Sequence, residues 1–123
     1  MASELRVNTL KDAAGANSVA MTYVAGGSAK AWFSAVTWAT ADNSLNVSSI
    51  SDDAAGQSTV SWSSAFADDD YTVAGSSTDA DGIVIFTASK AAGTCPVYHF
   101  GGLAGSAAYN DKEMTADFHG DLA

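Results

Sequence analysis

The sequence predicts an all-β fold, either an antiparallel β-sandwich or a jelly-roll-like barrel, in one domain spanning the 123 residues. Three observations support this prediction. Short stretches of alternating or β-branched residues recur along the chain, Gly, Asn, Asp and Ser clusters separate them, and no capped amphipathic helix is convincing. We assign residues 1–17 to an extended N-terminal arm and residues 18–123 to a β-sandwich body.

The first elements are short and polar on one side. Residues 4–10 place Leu5 and Val7 on the same side of an extended chain, which predicts a short strand or arm. Residues 11–17 have turn-like composition. Residues 18–24 alternate again and predict a second strand, which a pair of glycines then ends.

The stretch 27–75 holds all three tryptophans and most of the bulky apolar surface. Residues 28–40 have apolar side chains at successive positions. A helix competes there, but the aromatic and β-branched content favours a strand covered on both faces. Residues 45–50 and 58–64 predict two strands of a hairpin, joined by a polar turn over 51–57.

The second half of the chain repeats this pattern. We predict strands over 71–74, 83–86, 97–100 and 113–119, separated by polar or glycine-rich loops. Residues 83–86 form the most apolar run and have the character of a central strand.

Composition limits the classes of function. A net charge of −9 and a pI near 4.1 argue against nucleic acid as a partner. Much of the 47% hydrophobic content is alanine, which adds little apolar area, so burial at subunit contacts would help stability. We find no evident signal peptide and no apolar run long enough to span a membrane.

The polar residues do not form a recognisable catalytic set. Cys95 is the only cysteine, so no intrachain disulfide is possible, and we expect a small, partly buried thiol. His99 and His119 are expected at packing or surface positions, because further metal ligands at short spacing are missing. There is no Gly-x-Ser-x-Gly elbow and no phosphate-binding glycine loop. We therefore predict that the chain is not an enzyme and carries no cofactor.

Two acidic clusters leave calcium binding open. Asp79 and Asp81 resemble the opening of a calcium loop, and the run from Asp68 to Asp70 adds local negative charge. A complete loop needs a bidentate Glu at its end, which is missing, so solvated acidic loops are the favoured interpretation.

Several blocks resemble a family of small structural proteins and fibre domains in marine tailed bacteriophages. Residues 5–20 resemble the start of such chains, and Gly-Ser-Ala-Lys-Ala-Trp at 27–32 is similar to the most distinctive block of the family. Residues 45–52 and 71–73 match the strands that follow, and the ending 119–123 is also similar. The resemblance implies a non-enzymatic, trimeric component of a virus particle.

Within that class we favour a capsid decoration (cement) protein on the outer surface of the head, made in the cytoplasm of the host bacterium. Its expected partners are two further copies of itself and the major capsid protein, with no nucleic acid and no membrane. The residues expected to mediate assembly are in the arm: Leu5, Arg6, Val7 and Leu10.

The alternative is a tail fibre or tail-tip module that recognises a glycan on the host surface. In that interpretation Trp38 or Tyr71 would be exposed and stack on a sugar, while Asn43 or Asp69 would accept hydrogen bonds from its hydroxyl groups.

Overall fold

The computed structural model describes residues 3, 6–15, 17–35, 39–77, 84–87, 89–101 and 108–123. Within these ranges the chain forms antiparallel sheets and one seven-residue helix, which confirms the all-β prediction. In chain order the elements are β1 (Thr9–Lys11), β2 (Ser18–Ala20), α1 (Met21–Gly27), β3 (Ala31–Ala35), β4 (Asn43–Leu45), β5 (Val47–Ala54), β6 (Gln57–Trp62), β7 (Thr72–Ser77), β8 (Val84–Thr87), β9 (Thr94–Gly101), β10 (Ala108–Tyr109) and β11 (Met114–His119).

Two larger sheets form the body of the protein. The first has the strand order β4-β3-β11-β7. In the second sheet, β9 pairs with β8 along one side. Along its other side β9 pairs first with β6 and then, near its C-terminal end, with the short strand β10. The strand β5 pairs with the far side of β6. Among the described strands β8 pairs only with β9, so it lies at an edge of the sheet. The strand predicted over 83–86 is present as β8, but among the described strands it lacks the two neighbours of a central strand. An apolar run does not distinguish an edge from a centre.

Alternating burial explains why these segments are strands. In β3, β6, β9 and β11 every second side chain is buried, as expected where one face of a sheet covers a core. The buried apolar residues come from both sheets and from the segment between β6 and β7: Ala31, Phe33, Ala35, Ile50, Val60, Trp62, Phe66, Tyr71, Cys95, Val97, Met114, Ala116 and Phe118. The rings of Trp62 and Phe118 meet edge to face with their centroids 4.7 Å apart.

The strand predicted over 28–40 is confirmed only in part, as β3, where Phe33 is buried and Trp32 is half-buried. Residues 28–30 precede β3 and residue 39 lies in a turn, while residues 36–38 lie outside the described residues.

The hairpin predicted from 45–50 and 58–64 is present as β5 and β6, with two differences. Both strands extend further toward the turn, which therefore contains only residues 55 and 56, with Gly56 at a φ of +63°. The predicted first strand is also interrupted at Asn46, which has a φ of +59°. Its side chain accepts from Ser64 N at 2.7 Å and donates to Ser64 O at 3.0 Å, which stabilises a conformation that Asn tolerates better than most residues.

The β5–β6 turn is packed against two other segments. The Gly56 carbonyl accepts from His99 N at 2.9 Å, and Gly56 N donates to the Asp111 carboxylate at 2.6 Å. A Cβ atom at position 56 would lie 2.5 Å from Asn110 N and 2.5 Å from His99 O. The close approach and the positive φ together require glycine here.

The N-terminal expectations need two corrections. The described part of the arm is a hairpin of β1 and β2, not an extended segment, and its second strand lies in what we assigned to the body. The strand predicted over 18–24 ends at Ala20, and α1 follows it. Two carbonyls in the last turn of this helix have partners: the Val24 carbonyl accepts from Ser28 N at 3.1 Å, and the Ala25 carbonyl accepts from both Lys30 Nζ and Ser28 Oγ.

Candidate assembly surface

The N-terminal hairpin is short and closed by a defined turn. Its register places Leu10 opposite Val19 and Lys11 opposite Ser18. In the turn, Asp12 N donates to the Asn17 carbonyl at 3.1 Å, and the Asn17 side-chain amide donates to the Asp12 carboxylate at 2.7 Å. These bonds fix the register, and hence the face of the hairpin on which each side chain lies.

One face of this hairpin is apolar and exposed. Leu10 and Val19 are cross-strand neighbours and are 43% and 40% exposed. They border a surface concavity of about 340 Å³. Cross-strand apolar pairs stabilise a sheet when a further layer covers them, and within the described residues this pair remains largely open to solvent.

The helix α1 follows β2 in the chain and is also exposed. None of its residues is buried, and Tyr23 is 76% exposed. Met21 N donates to the Asn8 carbonyl at 2.9 Å, which ties the start of the helix to the chain that leads into β1. We call residues 6–27, apart from residue 16, the N-terminal unit.

The N-terminal unit carries little burial of its own. A two-stranded hairpin is at best marginally stable in water unless it packs on another element. All three residues of β1 are exposed, and no residue of the unit belongs to the core. The unit therefore contributes little to the buried core of the described chain.

The predicted assembly residues fall in this unit where they are described. Val7 is 36% exposed and Leu10 is 43% exposed, and Arg6 is also exposed. Leu5 lies outside the described residues. Val19 and Tyr23 were not among the predicted assembly residues, although the pattern over residues 18–24 places both on one side of a strand.

Of the two aromatic residues proposed for glycan contact, the one that is described is buried. Tyr71 is 2% exposed, so the expectation of an exposed stacking ring was wrong. Its hydroxyl donates to the Thr94 carbonyl at 2.9 Å, and its ring stacks on Phe66 with a centroid distance of 4.3 Å. An aromatic residue at the start of a strand satisfies the same sequence pattern whether it packs inward or outward.

The other two described residues proposed for glycan contact are both exposed. Asn43 lies on β4, and Asp69 lies in the segment between β6 and β7. The Asn43 side-chain oxygen accepts from Ser44 N at 3.0 Å. Trp38 lies outside the described residues.

Tyr71 belongs instead to a buried polar cluster. Lys90 Nζ donates to the Tyr71 carbonyl and lies 4.8 Å from the centroid of its ring. Burial raises the pKa of the Tyr71 hydroxyl above its usual value, and burial also raises the pKa of the Cys95 thiol. Both groups are therefore held in their neutral forms, and the Cys95 thiol is fully buried, where the sequence predicted a partly buried one.

The remaining polar residues are dispersed. His99 is buried in β9, whereas His119 lies 2.7 Å from the Asp117 carboxylate on β11. Asp68 accepts from Asp70 N at 2.9 Å in an exposed turn. Within the described ranges no three His, Cys, Asp or Glu side chains converge on a point that could hold a metal ion. Asp79 and Asp81 lie outside those ranges.

The helical content of the described chain is also limited. None of its helical structure has the length and apolar character needed to cross a bilayer.

Comparisons with protein families, with curated proteins and with solved structures found no match.

Proposed function

We propose that this chain is a non-enzymatic structural protein of a marine tailed-bacteriophage particle, acting as a trimeric decoration protein on the exterior of the head. One observation carries the proposal: the N-terminal unit presents Leu10, Val19 and Tyr23 to solvent outside the core. Such a segment suits a protein whose role is to attach to neighbours. The resemblance of residues 27–32 and the blocks around them to phage structural proteins supports the same role.

We also propose that the two larger sheets form a β-sandwich. The core draws side chains from both sheets, and the Trp62 ring on β6 contacts the Phe118 ring on β11. Within the described residues no backbone pairing joins one sheet to the other, which favours a sandwich over a closed barrel.

The proposed partners are two further copies of the chain and the major capsid protein. A compact domain with one protruding segment suits repeated attachment at many symmetric sites on a head. A trimer places three such domains around one axis of that lattice.

A place on the tail is the second candidate. The same exposed unit could attach a tail component, and the family resemblance includes fibre domains. A glycan site has less support, because burial of Tyr71 removes one of the two aromatic residues proposed to stack on a sugar.

Copy number tests the proposal. Particles that encode this chain are purified, and its abundance relative to the major capsid protein is measured by quantitative mass spectrometry with isotope-labelled peptides. Hundreds of copies per particle support decoration of the head. A handful of copies assigns the chain to the tail, and absence from purified particles refutes a structural role in the virion.

A further inference from the structure

The charge of this chain is divided unevenly along its length. Residues 1–30 contain three of the five Lys and Arg residues and two of the 14 Asp and Glu residues, which gives a net charge of +1. Residues 31–123 contain two cations and 12 acids, a net charge of −10. The N-terminal segment is therefore the part of the chain that is not acidic.

This division constrains how two copies can meet. Two bodies of charge −10 repel each other when their surfaces come within roughly a Debye length, about 8 Å at physiological salt. A contact between the positive segment of one copy and the acidic body of another is attractive. Lys11 follows Leu10 on β1 and is on the opposite face of the hairpin, from which its long side chain can reach the rim of a contact made by the apolar pair.

The apolar surface of the N-terminal unit supplies the short-range part of such a contact. Leu10 and Val19 together form an open apolar face, and Tyr23 is the most exposed of the large hydrophobic residues in the described chain. Aromatic residues and desolvated apolar clusters dominate binding energy at interfaces, whereas a rim charge mainly affects the rate of association.

We infer that the N-terminal unit of one copy docks on the acidic body of a second copy of this chain. The inference rests on the homo-oligomer of the proposed function and specifies which surface builds it. The N-terminal unit and the body are different surfaces, so the contact between two copies is heterologous. Such contacts form a closed ring when the rotation that relates successive copies brings the last copy back to the first. Three identical unit-to-body contacts would close the proposed trimer.

Substitutions on opposite faces of the hairpin test the inference. The variant Leu10→Asn with Val19→Asn makes the apolar face polar without changing the charge. Its matched control, Thr9→Asn with Ser18→Asn, places the same side chains at exposed positions on the other face of the same strands. Far-ultraviolet circular dichroism and tryptophan fluorescence verify in each case that the body remains folded, since none of the four residues belongs to the core.

Sedimentation velocity then measures association of the full chain over a range of concentrations. The natural chain and the control should both sediment as a species whose mass is three times that of the 12.4 kDa monomer. The apolar-face variant should associate at least about tenfold more weakly. If the apolar-face variant associates as tightly as the natural chain, the docking of the N-terminal unit is refuted, but the proposed trimer is not. If the natural chain is itself a monomer, the proposed trimer fails as well.

Isotope-mixed cross-linking tests the location of the contact directly. Unlabelled and ¹⁵N-labelled chains are mixed and treated with a zero-length carbodiimide, which joins amines to carboxylates in contact. We expect peptides in which Lys11 of one isotopic form is linked to an Asp or Glu in residues 31–123 of the other form. Links from Lys11 that join only peptides of the same isotopic form would overturn the inference.

Discussion

Replacing Trp62 by Ala should have the largest effect of any single tryptophan change in the described chain. The ring is 7% exposed, and its centroid lies 4.7 Å from that of Phe118, 5.4 Å from that of Phe66 and 6.1 Å from that of Tyr71. Removing it leaves a cavity between residues of both sheets. Large-to-small changes of this kind cost about 3–5 kcal/mol, and a domain of this size is stable by only about 5–15 kcal/mol.

Trp32 provides the matched control. It is half-buried on β3, on the face opposite to the buried Phe33. The free energy of unfolding should fall by about 2 kcal/mol in Trp32→Ala, less than in Trp62→Ala, since a smaller part of the Trp32 ring is removed from water.

Urea unfolding measures both variants. All samples are held at one protein concentration, because oligomer formation makes stability depend on concentration. With a slope of about 2 kcal/mol per molar urea, Trp62→Ala should lower the midpoint by about 2 M. Equal midpoints for the two variants, or a loss below about 1 kcal/mol for Trp62→Ala, would mean that the core has been placed wrongly.

Other predictions concern backbone strain and titration. Gly56→Ala should lower the free energy of unfolding in urea by about 2–3 kcal/mol. Gly15 also has a positive φ, +71°, but a Cβ atom there would have no neighbour within 4 Å, so Gly15→Ala should cost only about 1 kcal/mol. Equal losses in the two variants would contradict the clash at position 56. Asn46→Ala should lose about 2 kcal/mol through its two side-chain hydrogen bonds and its positive φ, and Asn46→Gly should lose less; the reverse order would exclude backbone strain. Burial raises the pKa of both Cys95 and Tyr71, so the folded chain retains protons that the unfolded chain releases, and stability should fall as pH rises above about 9. Midpoints of unfolding measured from pH 7 to 11 should decline less steeply in Cys95→Ala, and an unchanged pH dependence would show that the thiol does not contribute.

Strand positions were predictable where one face of a sheet covers the core. The segments at β6 and β11 alternate in sequence because they alternate in burial, and this pattern is local. The strand at β3 was predicted from its aromatic and β-branched content instead. The break at Asn46 was not visible, since its left-handed conformation depends on hydrogen bonds to Ser64, eighteen residues away.

The N-terminal region shows a different limit. Val19 continues an alternating pattern that predicts a strand through residue 24, yet the chain turns into α1 at Met21. Short exposed elements have weak intrinsic preferences, and contacts such as that of Lys30 with the Ala25 carbonyl decide between them. An aromatic residue beside a turn, such as Tyr71, likewise gives no local indication of whether it is buried.

Imaging the intact particle by electron cryomicroscopy tests the central claim most directly. If the chain is a trimeric decoration protein, density matching its two larger sheets will occur in groups of three at repeated positions on the outer surface of the head. The N-terminal unit of each copy should lie against the body of its neighbour. Density for this chain only on the tail, or single copies on the head with no contact between them, would contradict the trimeric decoration protein.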